Sequence, residues 1–414
     1  MKILWSGAFP DTPSGYGRVT WELLRGLKKY FTKKEDIIIF GVHPESRNHY
    51  YRKKYVEENF ITENAMDKEI LDYGVKKLPI MIKKYKPDMI FLYNDPWVLY
   101  HYSRIIREDA KYTGKIYAYI DICYIYNIKE HMKSIINCVD IFLTFSKFAK
   151  KELQFFDCNK PIHVLNHGLN RKDFFKIDQQ KARDTLQIKA LDYYKKDVFN
   201  FKNNPFIIFN GNRNQPRKRI DITIKAYADF IENNNDPNTI LILNNQNNTV
   251  YGWNYHEIIH NEFYHKRNIK NYEKYFLFLK KIGQSLPVEL LNLLYNAVDI
   301  GINTCDGEGF GLVNLEHAFV GKPQIAGNFA GLGEFLKHDF SILVECNNTF
   351  YHDRLGDGVG GMGWTLDYKK ISKAIEMYYK NPILRKEHGL RAHKYLKNKF
   401  KWEDIQEQLY NIIQ

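Results

Sequence analysis

Residues 304–323 read TCDGEGFGLVNLEHAFVGKP, and the reading of this stretch decides the fold. The run before it, VDIGIN (residues 298–303), is short, apolar and β-branched, as in a buried strand. It leads into a loop carrying Asp306, Glu308 and the glycines Gly307, Gly309 and Gly311, and a helical pattern begins near Leu312. A strand that ends in a glycine loop and turns directly into a helix is half of a βαβ unit. Glycines let the backbone approach a ligand closely, and the amides that open a helix form an anion site. Glu316 lies one turn into that helix, beside such an anion rather than facing it, which suits recognition of hydroxyl groups. A tight turn with a capping acid is the alternative reading.

Two further loops follow strand-like runs in the same way. FNGNRNQPRKRID (residues 209–221) concentrates Arg213, Arg217, Lys218 and Arg219 at a strand end. Arginine offers a planar fork to phosphate oxygens and lysine a mobile point charge. Each is worth roughly 4 kcal/mol at ~4 Å from a phosphate and an effective dielectric of ~20, before desolvation. At most two of the four are expected in the site, with Arg217 and Arg219 as the solvent-facing pair. PDTPSGYGRVTWELL (residues 10–24) places Gly15 and Gly17 around Tyr16 ahead of a helix. Alone, a GxG is weak evidence, and a plain turn explains it as well.

Beyond these loops, β-rich runs alternate with helical patterns along almost the whole chain. KILWSG, DIIIFG, DMIFLY, KIYAYI and VDIFLTF form a first series, with helical segments such as residues 19–29 and 67–85 between them. PFIIFNG, TILILN, YFLFL, VDIGIN, KPQIAG and SILVE form a second. Two series predict two doubly wound parallel α/β domains facing a central cleft, with the chemistry in loops at the carboxyl ends of the strands. The expected boundaries are 1–170 for the first domain, completed by a helix at 400–414, and 171–399 for the second. Residues 347–364 read as a binding loop or an inserted surface loop, the latter preferred.

Composition narrows the function classes. The 414 residues are 44% hydrophobic and 26% charged, ordinary for a globular protein of two or three domains. Abundant Asn, Lys and Ile fit an AT-rich coding genome, such as that of a large DNA virus. Five scattered cysteines suggest a reducing compartment and no structural zinc. No cleavable signal pattern or uninterrupted apolar run long enough to cross a bilayer is visible, so a cytoplasmic location is expected (the host's, if viral). The net charge of +13 is compatible with nucleic acid, anionic lipid or phosphorylated small molecules. No basic–aromatic module accompanies it, so nucleic acid is not the expected partner.

One motif points elsewhere. Residues 256–260, HEIIH, match the pattern in which two histidines on one helix face bind zinc and the glutamate acts as base. With 14 histidines in the chain an accidental match is credible, and although Glu262 and Glu273 are available as a third ligand, nothing around them resembles a protease site. His256, Glu257 and His260 are read as a polar helix face, with a metalloprotease as the weakest rival.

The block at residues 289–336, ELLNLLYNAVDIGINTCDGEGFGLVNLEHAFVGKPQIAGNFAGLGEFL, resembles the donor-binding core of retaining glycosyltransferase family 4, which has the GT-B fold. Glu308 and Glu316 stand as its E-x7-E pair, with Gly309, Phe310 and Gly311 between them. PRKR (216–219) resembles the family's phosphate clamp and SGYGR (14–18) its amino-terminal glycine loop. KPDMIFLYND (86–95), FSKFAKKEL (145–153) and VLNHGLNRKDFF (164–175) also fit, so the resemblance spans nearly the whole chain.

The resemblance implies a metal-independent enzyme with no cofactor, using a nucleoside-diphosphate sugar as substrate, with GDP-mannose as the best guess. The acceptor would be a glycan, a lipid-linked molecule or a protein, with peripheral membrane contact. Glu316 would hold the ribose and Glu308 the donor sugar, while Lys218 and Arg213 neutralise the departing diphosphate. Gly15, Gly17, Gly309, Phe310, Gly311 and Leu312 would line the donor site. Two departures stand out: Asn212 precedes Arg213 where the family often has arginine, and Asp121 stands where many members carry histidine. Asp121 as a replacement for that histidine and Asp121 as a buried structural aspartate both remain open. A GT-B-fold nucleotide-sugar epimerase and a basic nucleic-acid-binding protein are the rival functions.

Overall fold

The computed structural model describes residues 1–12, 14–42, 50–66, 73–243, 252–279, 286–352 and 360–414. These divide into two compact units. The first comprises Met1–Gly168, His352–Met362 and Phe400–Gln414, and the second Leu169–Tyr351 and Gly363–Lys399.

The first unit holds β1 (Ile3–Ala8), β2 (Ile37–Val42), β3 (Ile61–Asn64), β4 (Met89–Asn94), β5 (Lys115–Ile120), β6 (Ile141–Thr144) and β7 (Ile162–Val164). They form one sheet in the order β3-β2-β1-β4-β5-β6-β7, every neighbouring pair parallel. The central strands are buried throughout, which explains their unbroken runs of Ile, Leu, Phe and Tyr. Chain order reverses between β1 and β4, so the switch point of this sheet lies there. The helix Trp402–Ile413 packs on the helix Gly15–Leu27, where Gln406 donates to the Glu22 carbonyl at 2.8 Å and Tyr410 stacks on Tyr30.

In the second unit β8 (Phe206–Asn210), β9 (Thr239–Leu243), β10 (Phe276–Phe278), β11 (Ile300–Asn303), β12 (Gln324–Gly327) and β13 (Ile342–Val344) make a parallel sheet in the order β10-β9-β8-β11-β12-β13. Its switch point falls between β8 and β11. These are the strands that lead into the arginine-lysine loop and the glutamate-glycine loop. The fold class read from the alternating pattern is therefore the observed one: two parallel-sheet α/β domains.

Several elements differ from the sequence reading. The edge strands β3 and β7 were not singled out, and both are only partly buried, so they lack the apolar runs of the central strands. Asn348–His352 and Gly361–Thr365 pair as a separate two-stranded sheet, with residues 353–359 of the expected loop outside the described residues. His352–Met362 joins the first unit instead of the second. Met362 exchanges backbone hydrogen bonds with Ile125 at 2.7 and 3.2 Å, and His352 stacks on Tyr124. Of the helical segment expected at 67–85, residues 67–72 lie outside the described residues, and Leu78–Tyr85 is α-helix. Among the described residues no helix is long and apolar enough to cross a membrane.

Candidate active site

The loops after β8 and β11 meet at the switch point of the second unit. After β8, Pro216–Lys218 forms a single 3-10 turn, and Arg219 closes it in the left-handed region at φ 45° before the helix Ile220–Asn233. After β11 the chain runs through Thr304–Phe310 to Gly311, which has φ 96° and precedes the helix Leu312–Phe319. A residue with a Cβ is strained at that angle and would also meet Leu332 at 2.6 Å, so position 311 requires glycine. The loops are stitched together: the Asp306 amide donates to the Arg217 carbonyl at 2.9 Å, and the Thr304 hydroxyl donates to the Arg219 carbonyl at 2.8 Å.

Within this frame Lys218 and Glu308 are both buried and form an ion pair. Arg217 donates to the Gly307 carbonyl at 3.0 Å and brings a guanidinium nitrogen to 4.0 Å from Glu308. Burial pushes the Glu308 carboxyl up. The charges of Lys218 and Arg217, with hydrogen bonds from Lys218 and Asn303, outweigh burial and hold it below its usual value. Glu308 is thus a carboxylate at neutral pH, held between two cations. Glu316 is also buried, on the first turns of its helix, and accepts the Tyr295 hydroxyl at 3.1 Å.

The other expected donor-site residues are placed as follows. Gly309 and Gly311 are buried, Leu312 is half-buried, and Phe310 turns its ring into the core against Phe335. Gly331 passes so close beneath Gly309 that a Cβ would lie 2.0 Å from the Gly309 carbonyl, and its amide donates to the Glu308 carbonyl at 3.0 Å. Arg213 is exposed on the same loop. The expectation that Arg217 and Arg219 face solvent is corrected: Arg217 lies against Glu308, and Arg219 forks onto Asp221 at 2.8 and 3.0 Å. A single 3-10 turn closed by Arg219 at φ 45° sets these directions, and residue types alone do not register it. Sequence reasoning also missed Tyr295, Asn303 and Trp364, whose amide donates to the Asp306 carbonyl at 2.8 Å.

The first unit gathers a second group at its own switch point. Ser14 caps the helix Gly15–Leu27 by accepting the Gly17 amide at 3.1 Å. A Cβ on Gly17 would lie 2.2 Å from the Thr12 carbonyl, so this glycine serves the turn itself, while Gly15 is exposed. The Tyr16 hydroxyl oxygen lies 2.7 Å from Asp95 Oδ1, just after β4, and 2.9 Å from Asp121 Oδ2, just after β5. Cys123 Sγ contacts the other Asp121 oxygen at 3.4 Å. Burial, then the charges of Asp121 and Asp95, raise the Tyr16 pKa well above its ordinary value. One hydroxyl proton can serve only one of these two carboxylates at a time.

The HEIIH histidines sit elsewhere. Tyr255–Ile259 is a short α-helix that continues as π-helix over His260–His265. His256 and Glu257 are exposed, and His260 Nδ1 lies 2.9 Å from the Tyr272 hydroxyl. Among the described residues no three His, Cys, Asp or Glu side chains come together as a metal-ligand set.

Comparison with known proteins fits this geometry. Residues 194–351, which contain both switch-point loops, match the family described as Glycosyl transferases group 1. No curated protein matches the chain. Among solved structures, a sucrose-phosphate synthase from Thermosynechococcus elongatus aligns over 100% of this chain and 98% of its own at TM-score 0.71 and 15% identity. HepE of Anabaena in complex with UDP-glucose aligns over 100% and 99% at 0.70 and 15%. A glycosyltransferase from Rickettsia africae ESF-5 aligns over 99% and 97% at 0.66 and 17%. At such identities the likeness is one of fold, and the fold is GT-B.

Proposed function

We propose that the chain transfers a sugar from a nucleoside-diphosphate donor to an acceptor hydroxyl with retention of anomeric configuration. The observation that carries this reading is the buried Lys218–Glu308 pair at the switch point between β8 and β11, inside the stretch matching glycosyl transferases group 1. In such a transfer the bond from the anomeric carbon to a phosphate oxygen breaks and a bond to the acceptor oxygen forms. The acceptor proton leaves with the diphosphate. Negative charge therefore grows on the leaving group, and preorganised cations lower the barrier where charge develops.

Lys218 and Arg217 supply that charge, with exposed Arg213 as a further contact. Glu308 receives hydroxyls of the donor sugar, and Glu316, held by Tyr295, receives those of the ribose. Amides at the start of the helix Leu312–Phe319 take the phosphate oxygens, so transfer is expected to persist after chelation of divalent metals. The preferred donor is GDP-mannose or a similar GDP-sugar. That HepE of Anabaena was solved with UDP and UDP-glucose supports a nucleotide-sugar donor and makes UDP the comparison to run.

The test is a thermal-shift and calorimetric panel of GDP, UDP and ADP. A ligand that binds only the folded state raises stability by RT ln(1 + [L]/Kd). One nucleoside diphosphate should stabilise the protein, and its sugar conjugate should turn over only with an acceptor. No stabilisation by any of the three would overturn the reading. A new sugar formed from donor alone would replace it with an epimerase.

A further inference from the structure

A group of charged side chains in the second unit gathers at the amino ends of its central strands, the end opposite the Lys218–Glu308 pair. Asp299 directly precedes β11, Lys322 lies just before β12, and Arg183 reaches the Pro205 carbonyl, just before β8. β8 and β11 hold five and four residues. At ~3.3 Å per residue, roughly 13–17 Å of strand therefore separates this group from the loops that carry Lys218 and Glu308.

Asp299 is buried and fully engaged. Its Oδ2 accepts Arg183 at 2.9 Å and the Ile207 amide at 2.8 Å, and its Oδ1 faces an Arg385 nitrogen at 3.3 Å. The arginines are committed to this frame as well. Arg183 also donates to the Ala297 and Pro205 carbonyls at 2.8 and 3.2 Å, and Arg385 donates to the Tyr378 carbonyl at 2.6 Å while lying over the Phe206 ring. Two guanidinium groups on one carboxylate already leave an excess of positive charge.

Lys322 and Lys176 add to that excess. Lys322 is half-buried, and among the described residues its ammonium has no hydrogen bond and no ion pair. The Lys176 side chain runs beside Gly321, where a Cβ would lie 3.6 Å from its Cε. Burial pushes the Lys322 ammonium down to about 8. Asp299 opposes that shift, and the charges of Arg183, Arg385 and Lys176 deepen it. An exposed lysine of a basic chain needs no counter-ion, because water screens it. A half-buried ammonium beside two arginines is unfavourable until an anion joins it.

We propose that Lys322 and Lys176 bind a dianionic oxyanion, inorganic phosphate or the phosphoryl group of a phosphate monoester, at the amino ends of β11 and β12. The arginines, fixed on Asp299, supply the standing field, and the two lysines are the mobile donors that meet the oxygens. A dianion removes most of the excess charge, which a single carboxylate does not. The site is separate from the proposed donor site and does not rest on the transferase reading.

The experiment is trace acetylation of the full chain as a function of pH, with each lysine read by mass spectrometry. It is run in chloride, inorganic phosphate and glycerol 3-phosphate at matched ionic strength. In chloride the labelling midpoint of Lys322 should lie near 8. Phosphate should raise it by about one unit or more, because an opposite charge in contact favours the ammonium. A shift with phosphate alone assigns the site to the free anion, and a shift with both probes assigns it to a phosphoryl group. A midpoint that neither probe moves would overturn the proposal. So would an equal shift at Lys270, an exposed lysine of the same unit, since that would be general screening. Thermal unfolding gives a second reading that needs no labelling. Phosphate should raise the unfolding temperature of wild type and of Lys270→Met alike, and that of Lys322→Met less, with any contribution from Lys218 common to all three. A single cooperative transition shows that each variant folds. No stabilisation of wild type, or an undiminished response in Lys322→Met, would sink the site.

Discussion

Lys218 donates its ammonium to the Glu308 carboxylate, and the two residues are buried together between the ends of β8 and β11. The cation proposed to meet the diphosphate is therefore already paired with an internal anion. In the proposed transfer, a diphosphate entering this site would compete with Glu308 for Lys218 and release Glu308 toward the sugar.

That relationship separates the variants. Lys218→Ala removes charge that matters most as the diphosphate departs, so turnover should fall by roughly 10²–10³. Glu308→Gln leaves a buried ammonium with a weaker partner, which should cost about 3–5 kcal/mol of stability in the free protein. The same variant should bind bare nucleoside diphosphate at least as tightly as wild type, while sugar transfer collapses. Calorimetry beside steady-state kinetics reads both effects. If Glu308→Gln abolished nucleotide binding, the assignment of Glu308 to the sugar would be wrong.

Arg217 and Arg213 should part company as well. Arg217 is fixed against Gly307 and Glu308, whereas Arg213 is exposed. Arg217→Ala should weaken nucleoside-diphosphate binding by one to two orders of magnitude, about 1.5–3 kcal/mol for a charged hydrogen-bonding group. Arg213→Ala should cost less than about 1 kcal/mol, as exposed ion pairs do. A larger effect at Arg213 would return it to the clamp and demote Arg217.

Part of this was legible in the sequence because local physics dictates it. The central strands must be continuous apolar runs, since helices cover both faces of a parallel sheet. Loops at their carboxyl ends are where βα units place ligands, and that reasoning directed attention to the two loops, after β8 and β11, that the structure brings together. What stayed hidden depends on distance along the chain or on single backbone angles. Tyr16 and Asp121 are 105 residues apart, and nothing in either neighbourhood announces the other. The direction of Arg217 follows from a 3-10 turn closed by Arg219 at φ 45°, a conformation unusual for arginine. β3 and β7 are short, half-exposed edge strands, so neither carries the buried-strand signature.

The Tyr16 trio yields a prediction in the first unit. Its hydroxyl supports the charged form of whichever carboxylate it serves, so Tyr16→Phe removes a donor from Asp95 and Asp121. Losing that donor raises the pKa of the affected carboxyl. If Asp121 acts as a carboxylate, the acid limb of the kcat profile moves to higher pH in Tyr16→Phe, with nucleoside-diphosphate affinity unchanged. An unshifted limb with merely lowered stability would make Asp121 structural. The profile thus decides between the two roles left open for this residue.

The last prediction uses His317, which is buried on the Glu316 helix and stacked on Tyr295 at 4.9 Å. Burial, helped by the Lys322 charge, pushes its pKa down to about 3. The sign follows from proton binding. Between the ordinary histidine value near 6.5 and about 3, the unfolded chain takes up a proton that the folded chain refuses, so stability falls as pH drops. The slope approaches ~1.4 kcal/mol per pH unit once the unfolded histidine is protonated, so the loss between pH 7 and 4.5 is about 2.5 kcal/mol. Glu308 contributes in a different window. Its depressed carboxyl stabilises the fold above the unfolded carboxylate value near 4.3, and that contribution is lost only below it. Urea unfolding of wild type and His317→Gln at pH 7 and at pH 4.5 therefore isolates the histidine. The variant should be less stable than wild type at pH 7, because a buried ring is replaced, and the gap should narrow by about 2.5 kcal/mol at pH 4.5. A gap that stays constant across the two pH values would mean that His317 accepts a proton in the folded state, and that the packing around Glu316 is looser than its burial implies.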